Sequence, residues 1–389
     1  MHAKRFLQGL LGNTIHKSRA KALIDTVLAS ICAKKLSLTA LGRNIQAPIQ
    51  ERSGIQKVNR LLGNAALHRE RIEISRIVSL RLIDNRERPD ILVDWTKYPE
   101  SKDVVLRASM VSSGRSLTLY QERHPERKLG NNKVEKQFLR QLKDILPCHC
   151  RPVIITDAGF HNDWFREIRK YDWDYIGRIR GMKKFRYSEK GKFVECSRLW
   201  KKAGKIPKCA GSVILTKKNP FETCLYLVKG KLTGRKARTK SGKFRKDKDS
   251  RHYARMHREP WLLASSLKGR GMARRVVKKY GFRMQIEQEF RDMKGNRYGF
   301  SLKESKTCIG MRRDILLLIG MMSSLTAWVI GAAAERLGLH RQFQSNSVKS
   351  RRVISLVYLG CRVITKKLKI PMDQVWESIH LLREEAGVL

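Results

Sequence analysis

Three acidic residues occupy positions from which their carboxylates could bind divalent metal ions. Asp94 and Asp157 end short apolar runs within residues 91–95 and 152–157, and Glu287 lies in a segment with helical periodicity. Two divalent ions about 4 Å apart, bridged by carboxylates, can activate a water or a 3′-hydroxyl and stabilise the leaving oxygen of a phosphoryl transfer. Aspartate at a strand end is also a common turn former, so a structural role stays open for each.

Glu287 shares a predicted helical stripe with cationic and aromatic residues. At 100° per residue, a stripe about 80° wide holds Tyr280, Arg283, Glu287, Arg291 and Lys294. A second stripe of similar width holds Phe282, Ile286, Phe290 and Met293. Residues 280–294 are therefore predicted to form one helix that packs on its apolar side and presents a carboxylate among cations. A solvated face with Glu and Arg in helical register is the alternative interpretation.

The elements that would position these acids follow an α/β order. Strands are predicted at residues 91–95, 104–111 and 116–121, which form a meander. A helix at 132–146, a buried strand at 152–157, a helix ending near 171 and a strand at 175–179 follow. This order is typical of a ribonuclease-H-like sheet, whose ligand site lies at the carboxyl ends of its buried strands. The predicted catalytic domain spans residues 86–310.

Basic segments surround this predicted core. Residues 1–85 read as short helices with basic exteriors, which suits a DNA-binding domain, although an ordinary helical bundle has the same pattern. A β-rich insertion is predicted at about 180–270, and its residues 229–258 contain 13 Lys or Arg against two Asp. We interpret that stretch as a DNA-contacting loop, with a solvated disordered loop as the alternative. Residues 311–389 are predicted to form a helical tail, a candidate for dimerisation.

Charge is the strongest compositional feature of the 389-residue chain. Its 83 Lys and Arg exceed its 35 Asp and Glu, which gives a net charge of +48 and a pI near 10.5. A surplus of that size repels itself in a compact state unless a polyanion neutralises it. Nucleic acid is therefore the expected partner, and an anionic membrane surface is the weaker alternative.

Two further patterns are interpreted as structural. Residues 315–334 carry no charge over a length that could span a bilayer, but two Ser, a Thr and two Gly within them favour a buried core helix. The eight cysteines form no CxxC pair, so reduced thiols in a cytosol are expected. Cys148-His149-Cys150 has no second ligand pair at zinc-site spacing. Neither a membrane partner nor a zinc site is expected.

The chain resembles a known family when these residues are compared as a set. The spacing Tyr, two residues, Arg, three residues, Glu, six residues, Lys is the signature of DDE transposases of the insertion-sequence-four group, and Tyr280, Arg283, Glu287 and Lys294 reproduce it. Similar stretches extend over nearly the whole chain: LTALGRN at 38–44, VNRLLGN at 58–64, LVDW at 92–95, VLRAS at 105–109, GRSLTLY at 114–120, TDAGF at 156–160, EPWLLAS at 259–265 and RMQIEQEFRD at 283–292. Such a signature is far more specific than three isolated acids.

The resemblance implies a cut-and-paste DNA transposase with endonuclease activity. Asp94, Asp157 and Glu287 match the family's metal-binding catalytic triad, with Mg²⁺ as the cofactor and Mn²⁺ as a substitute. By analogy, the enzyme nicks the element end, and the freed 3′-hydroxyl attacks the opposite strand to form a hairpin. Water then reopens the hairpin, and the 3′-hydroxyl joins target DNA.

Further contacts follow from the same resemblance. Tyr280, Arg283 and Lys294 match positions that hold phosphates near the cleaved end, and Arg291 is expected to contact DNA beside them. Trp261 stands near where relatives place a tryptophan beneath a flipped base, although a core tryptophan explains it equally well. The family also implies binding to the terminal inverted repeats and target DNA, a synaptic homodimer, and a bacterial cytoplasmic location at the nucleoid.

Two alternative functions remain open at this level. A sequence-specific DNA-binding regulator descended from an inactive transposase would share the charge and the N-terminal helices, although it would not need the acids. A ribonuclease-H-like nuclease would cut DNA without joining it, although the Tyr-Arg-Glu-Lys spacing weighs against this. A cleavage product with a hairpin end distinguishes the transposase from both alternatives.

Overall fold

The computed structural model describes residues 2–12, 14–230, 244, 247–248, 250, 259–296, 299–348 and 350–388. The chain forms two compact units, one comprising residues 1–152 and 284–389 and the other residues 153–283. Both contain strands and helices, so the fold is mixed α/β, consistent with a ribonuclease-H-like core. Almost all of the predicted basic loop at 229–258 lies outside the described residues.

The first unit begins with five helices and a strand meander. Helices α1–α5 cover His2–Leu11, Lys17–Ala33, Leu38–Arg43, Glu51–Leu62 and Ala65–Ile83. Strands β1 (Asp90–Lys97), β2 (Asp103–Met110) and β3 (Leu117–Pro125) follow, and each pairs antiparallel with the next. Helix α6 (Asn132–Ile145) packs on them, with the Phe138 and Tyr120 ring centroids 5.1 Å apart. The predicted meander and the helix after it are confirmed.

The second unit is built on a sheet of strands β4 to β10. Their bounds are Val153–Thr156, Asp174–Arg178, Lys184–Arg186, Val194–Glu195, Lys208–Leu215, Phe221–Val228 and Trp261–Ser265. Helix α7 (Asn162–Lys170) connects β4 to β5, which run parallel. The order across this unit is β4-β5-β10-β9-β8-β6-β7. The predicted β-rich insertion therefore extends the sheet that contains β4 and β5.

Residues 280–294 form parts of two helices, so the prediction of a single helix is wrong. Helix α8 (Met272–Gly281) ends the second unit, and α9 (Met284–Lys294) belongs to the first. Between them the backbone NH groups of Phe282 and Arg283 bond to carbonyls three residues back, at 3.1 and 3.0 Å. Glycine has low helix propensity, and Gly281 stands where the helix gives way to this tighter turn. Tyr280 thus precedes the break, Arg283 lies in it, and the rest of the predicted polar stripe follows it.

The apolar helix α10 (Gly310–Arg336) is a core element of the first unit. Its most apolar window is 94% buried inside the molecule, which confirms the predicted core helix. It packs closely on α11 (Leu356–Thr365), where a Cβ on Gly360 would lie 1.8 Å from the Ala327 carbonyl oxygen. Helix α12 (Met372–Val388) follows, and its Trp376 ring packs against Phe6 of α1. The N-terminal and C-terminal helices, predicted as separate regions, share one compact unit.

Candidate active site

Asp94 lies within β1, at the point where the strand changes from buried to half-buried residues. The strand continues to Lys97, so the expectation that Asp94 ends it is wrong. The Oδ1 atom of Asp94 accepts a hydrogen bond from the backbone NH of Trp95 at 2.8 Å. Successive strand residues point to opposite faces, and the Trp95 indole NH donates to Glu135 of α6 at 3.0 Å. Asp94 therefore occupies the sheet face opposite to α6.

Asp157 directly follows β4, at the carboxyl end that the sequence predicts. Its Oδ1 atom accepts a hydrogen bond from the backbone NH of Gly159 at 2.8 Å, which forms a local turn. A Cβ at position 159 would lie 3.1 Å from this oxygen, so glycine suits the turn. The turn fixes the direction of a half-buried carboxylate at the edge of the second unit's sheet.

Helix α9, which carries Glu287, is fastened to the β2–β3 hairpin by one polar face. The face follows the helical spacing i, i+3, i+4, i+7 and consists of Gln285, Gln288, Glu289 and Asp292. The Gln285 amide accepts from the backbone NH of Ser112 at 3.2 Å and donates to its carbonyl at 2.9 Å. Arg115 donates to Gln288 at 2.6 Å and to Asp292 at 2.7 Å. These contacts set both the position and the rotation of the helix.

Glu289 is the most buried member of this anchoring face. Its carboxylate accepts from Arg107 at 3.2 Å, Ser109 at 2.8 Å and Ser116 at 2.7 Å, and the hydroxyl of Thr118 donates to it as well. The Arg107 and Glu289 side chains are 1% and 5% exposed. A buried carboxylate with this many donors is held in one orientation.

The role of Glu289 escapes the sequence interpretation, although a signal for it exists. The residue lies where the anchoring face borders the apolar stripe, within about 60° of Ile286 and Met293 around the helix. An acid at such a position must find a buried cation or several donors. Arg107, in the middle of the apolar strand β2, is the cation that the sequence offers as a buried partner for this acid.

The other side of α9 presents Glu287, Arg291 and Lys294, roughly 150° around the helix from the anchoring face. Glu287 lies in the first turn, where the helix dipole favours a carboxylate, and it is half-buried. Arg291 is exposed. The Lys294 ammonium donates to the Thr96 hydroxyl of β1 at 2.5 Å. Because Thr96 and Asp94 share one face of β1, this contact brings the helix of Glu287 to the strand face of Asp94.

The electrostatics of Lys294 reflect the same neighbourhood. Its pKa is lowered to about 8, first by burial and then by the cation Arg107, whereas Asp94 acts to raise it. Arg107 is also the cross-strand partner of Asp94 in the β1–β2 register. In the first unit, the structure therefore gathers Asp94 and Lys294, with Glu287 two turns before Lys294 on the same helix face.

Tyr280, Arg283 and Trp261 form a cluster within the second unit. The Tyr280 ring is 3% exposed and meets the half-buried Trp261 ring edge-on, with centroids 4.9 Å apart. The Arg283 guanidinium lies 5.9 Å from the Tyr280 centroid. Burial raises the pKa of Tyr280, Arg283 and Arg178 lower it, and Asp157 raises it. Two cations and an aromatic pair thus lie in the electrostatic neighbourhood of Asp157.

The donor chemistry of the three acids fits a divalent ion. Mg²⁺ prefers oxygen ligands and takes only one or two protein carboxylates, with water and phosphate completing its shell. Within the described ranges, no group of three His, Cys, Asp or Glu is gathered to hold a metal. In the segment Cys148-His149-Cys150, for which no zinc site is expected, the His149 ring forms a hydrogen bond with the Asp84 carbonyl at 3.0 Å.

These features define a strongly basic α/β protein with a carboxylate-bearing candidate site. Residues 85–323, more than half of the chain, match the family described as the transposase DDE domain. The chain belongs to this family and is a DDE transposase, a DNA-binding enzyme of DNA transposition and recombination. DDE transposases generally use divalent metals. No curated protein matches the chain.

Proposed function

We propose that this protein is a cut-and-paste transposase of the insertion-sequence-four group, most similar to the transposase of insertion sequence ten. It binds the terminal inverted repeats of its element, cleaves the ends through a hairpin intermediate and joins the 3′-hydroxyl ends to target DNA. The observation that carries this proposal is the position of helix α9, which its anchoring face fixes on the β2–β3 hairpin. The helix presents Glu287 and Lys294 of the family signature, and the bond from Lys294 to Thr96 brings it to the strand face of Asp94.

Asp94, Asp157 and Glu287 are the proposed metal ligands and catalytic residues. Bound Mg²⁺ or Mn²⁺ supplies Lewis-acid stabilisation for an in-line phosphoryl displacement. The anchoring face of α9 holds the backbone of Glu287 in place while phosphates enter and leave. Lys294, oriented by Thr96, places a positive charge beside Asp94, where it neutralises a phosphate oxygen.

The cluster in the second unit is the proposed holder of the cleaved DNA end. Arg283 and the Tyr280 hydroxyl bind phosphate, because a cation beside a phenol offers charge and a hydrogen bond together. Trp261 is half-buried, so its ring retains surface on which an extruded base can stack. Arg291, exposed on α9, contacts the DNA backbone.

The remaining regions serve recognition and assembly in this proposal. Residues 1–85 bind the terminal repeats, and α4 exposes Arg52 and Arg60 to do so. The helical tail at 311–389 contributes to a homodimer in which two element ends are synapsed. The protein acts in the bacterial cytoplasm, at the nucleoid, where its net charge of +48 favours association with DNA.

The test is a cleavage assay on DNA that flanks the protein's own gene. Purified protein with Mg²⁺ is incubated with an end-labelled terminal fragment, and the products are separated on a denaturing gel. We expect a slowly migrating hairpin that is absent with Glu287→Ala and Asp94→Ala. Glu222→Ala is the matched control, because the Glu222 side chain on β9 is 63% exposed and the proposal gives this residue no role.

Other products would contradict the proposal in distinct ways. Cleavage without a hairpin or strand transfer would indicate a nuclease. Binding without cleavage in both Mg²⁺ and Mn²⁺ would indicate a DNA-binding regulator. Equal cleavage by the Glu287→Ala and Glu222→Ala variants would overturn the assignment of the catalytic carboxylates.

A further inference from the structure

Two cysteines on neighbouring strands of the second unit bring their thiols into contact. Cys209 lies on β8 and Cys224 on β9, and their Sγ atoms are 3.4 Å apart. The two residues are 15 positions apart in sequence, so no short motif marks them as a pair. A disulfide bond holds its sulfur atoms at about 2.05 Å, which leaves about 1.4 Å for the two side chains to close.

A β-bulge explains why these thiols meet. The β8–β9 register shifts between residues 209 and 211, and Cys224 lies two residues before Tyr226, the partner of Cys209. A bulge increases the local twist and re-aims the side chains beside it, which brings Cys209 to its diagonal neighbour on β9. Gly211 has a φ of +96°, which suits glycine, and its NH donates to the Cys209 Sγ atom at 3.4 Å. The Cys209 side chain is therefore held towards Cys224.

The two thiols differ in their access to solvent. Cys209 is exposed, whereas Cys224 is buried with 4% of its surface accessible. Burial also raises the pKa of the Cys224 thiol, so this residue is protonated at neutral pH. A small oxidant therefore reaches Cys209 first, and Cys224 is in position to resolve the product. An accessible thiol beside a resolving cysteine is the arrangement of a redox-active pair.

Oxidation fits this pair better than metal binding does. A structural zinc ion takes four ligands, usually thiolates and imidazoles. The two thiols supply two ligands, and in the part of the chain that the structure describes no group of three His, Cys, Asp or Glu is gathered to hold a metal. A disulfide bond requires only two sulfur atoms in contact and a route for the oxidant, and the pair has both.

We propose that Cys209 and Cys224 form a reversible disulfide bond when the protein meets a low-molecular-weight disulfide. The Cys209 thiolate attacks one sulfur of the small disulfide, which gives a mixed disulfide and releases one small thiolate. The Cys224 thiol then loses its proton to solvent and attacks the Cys209 sulfur, which releases the second small thiolate. Two protein thiols are oxidised and one small disulfide is reduced to two thiols, so electrons and protons balance.

The bond crosslinks strands that support the Tyr280–Trp261 ring pair. Strand β9 also pairs with β10, where Trp261 lies opposite Val228 and Ser265 opposite Cys224. Helix α8, which carries Tyr280, packs on both β8 and β9. A crosslink between β8 and β9 suppresses the local openings that separate the two strands. Oxidation therefore makes this part of the second unit more rigid and leaves the carboxylates of the candidate site chemically unchanged.

Peptide mapping tests the bond directly. The full-length protein is incubated with glutathione disulfide, the remaining thiols are blocked with N-ethylmaleimide, and the protein is digested with trypsin without reductant. Cleavage after lysine places the two cysteines in separate peptides, 209–217 and 219–229. We expect one linked species about 2 Da lighter than the two peptides together, and dithiothreitol should release them. Amide hydrogen exchange at 209–217 should slow at least about tenfold in the oxidised protein.

Cys308→Ser is the matched control, since Cys308 is also exposed and lies in the first unit. This variant should form the linked peptides as wild type does, whereas Cys209→Ser should lose both the link and the slowed exchange. Cys209→Ser changes an exposed side chain, so it should fold. A lasting glutathione adduct at Cys209, a disulfide between two chains, or exchange unchanged by oxidation would each overturn the proposal. None of these measurements needs DNA or cleavage, so their outcome is independent of the proposed function.

Discussion

The two sides of helix α9 use similar residues for opposite purposes. Glu289, on the anchoring face, is buried, paired with Arg107 and surrounded by hydroxyl donors. Glu287, two residues earlier, is half-buried in the first turn and lies on the same side as Lys294. A glutamate side chain thus serves two purposes on this helix. At position 289 it anchors the helix because several donors bind its carboxylate, and at position 287 it is a candidate metal ligand.

This difference explains how a reacting carboxylate can be held still. A group that binds metal and phosphate must keep its geometry while the charge around it changes. On α9 the side chains that fix the helix are separated by about half a turn from those that would face DNA. Substitutions on the two sides should therefore affect stability and activity separately.

Glu287→Gln should produce the largest effect on activity. Removing a metal-binding carboxylate should reduce the cleavage rate by about 10³-fold or more, equivalent to about 4 kcal/mol of transition-state stabilisation. The free energy of unfolding should stay within about 0.5 kcal/mol of wild type, because the anchoring face is intact. Single-turnover cleavage and urea denaturation of the same preparation give the two numbers. A loss of unfolding free energy as large as the loss of transition-state stabilisation would show that Glu287 has a structural role, like the residues of the anchoring face.

Glu289→Gln should produce the largest effect on stability. It leaves the buried Arg107 without its counter-charge, and breaking such a pair typically costs about 3–5 kcal/mol. The double variant Glu289→Leu with Arg107→Met should recover much of this loss, since an apolar pair removes the uncompensated charge. Urea denaturation measures both. A loss below about 1 kcal/mol in Glu289→Gln would show that the pair is not the anchor.

Lys294 should make stability depend on pH. Its pKa is 10.5 in an ordinary environment and about 8 in the folded protein, so between these values the unfolded chain binds more protons. Wild-type stability relative to Lys294→Met should therefore rise by about 1–2 kcal/mol as the pH increases through this window, after discounting for partial exposure. Denaturation of both proteins at several pH values, without metal, measures the difference. A pH-independent difference would contradict the depressed pKa.

Arg291→Gln should produce the smallest change in the free protein. The side chain is exposed, so the unfolding free energy should change by less than about 0.5 kcal/mol. If Arg291 contacts one phosphate, the slope of log affinity against log salt should fall in magnitude by about 1. Fluorescence anisotropy with a labelled duplex over a salt series measures the slope. An unchanged slope would show that Arg291 does not contact a DNA phosphate.

Local periodicity was sufficient to predict much of the fold. Alternating apolar residues placed β1 to β3, and the amphipathic and apolar runs placed α6, α7 and α10 near their observed bounds. The break at residues 282–283 was missed, because apolar and polar stripes continue across it in sequence. Asp94 was placed at a strand end, because the apolar run stops there, although backbone pairing with β2 continues to Lys97.

The amino-acid sequence alone determined the element types, the basic charge and the spacing of Tyr280, Arg283, Glu287 and Lys294, because each is a local property of the chain. Only the tertiary structure decided which acid of α9 is an anchor, since Arg107 and Glu289 are 182 residues apart. It also decided that Lys294 reaches Thr96 beside Asp94. Helical spacing states which side chains share a face, whereas the donors that saturate a carboxylate come from distant segments that only folding brings together.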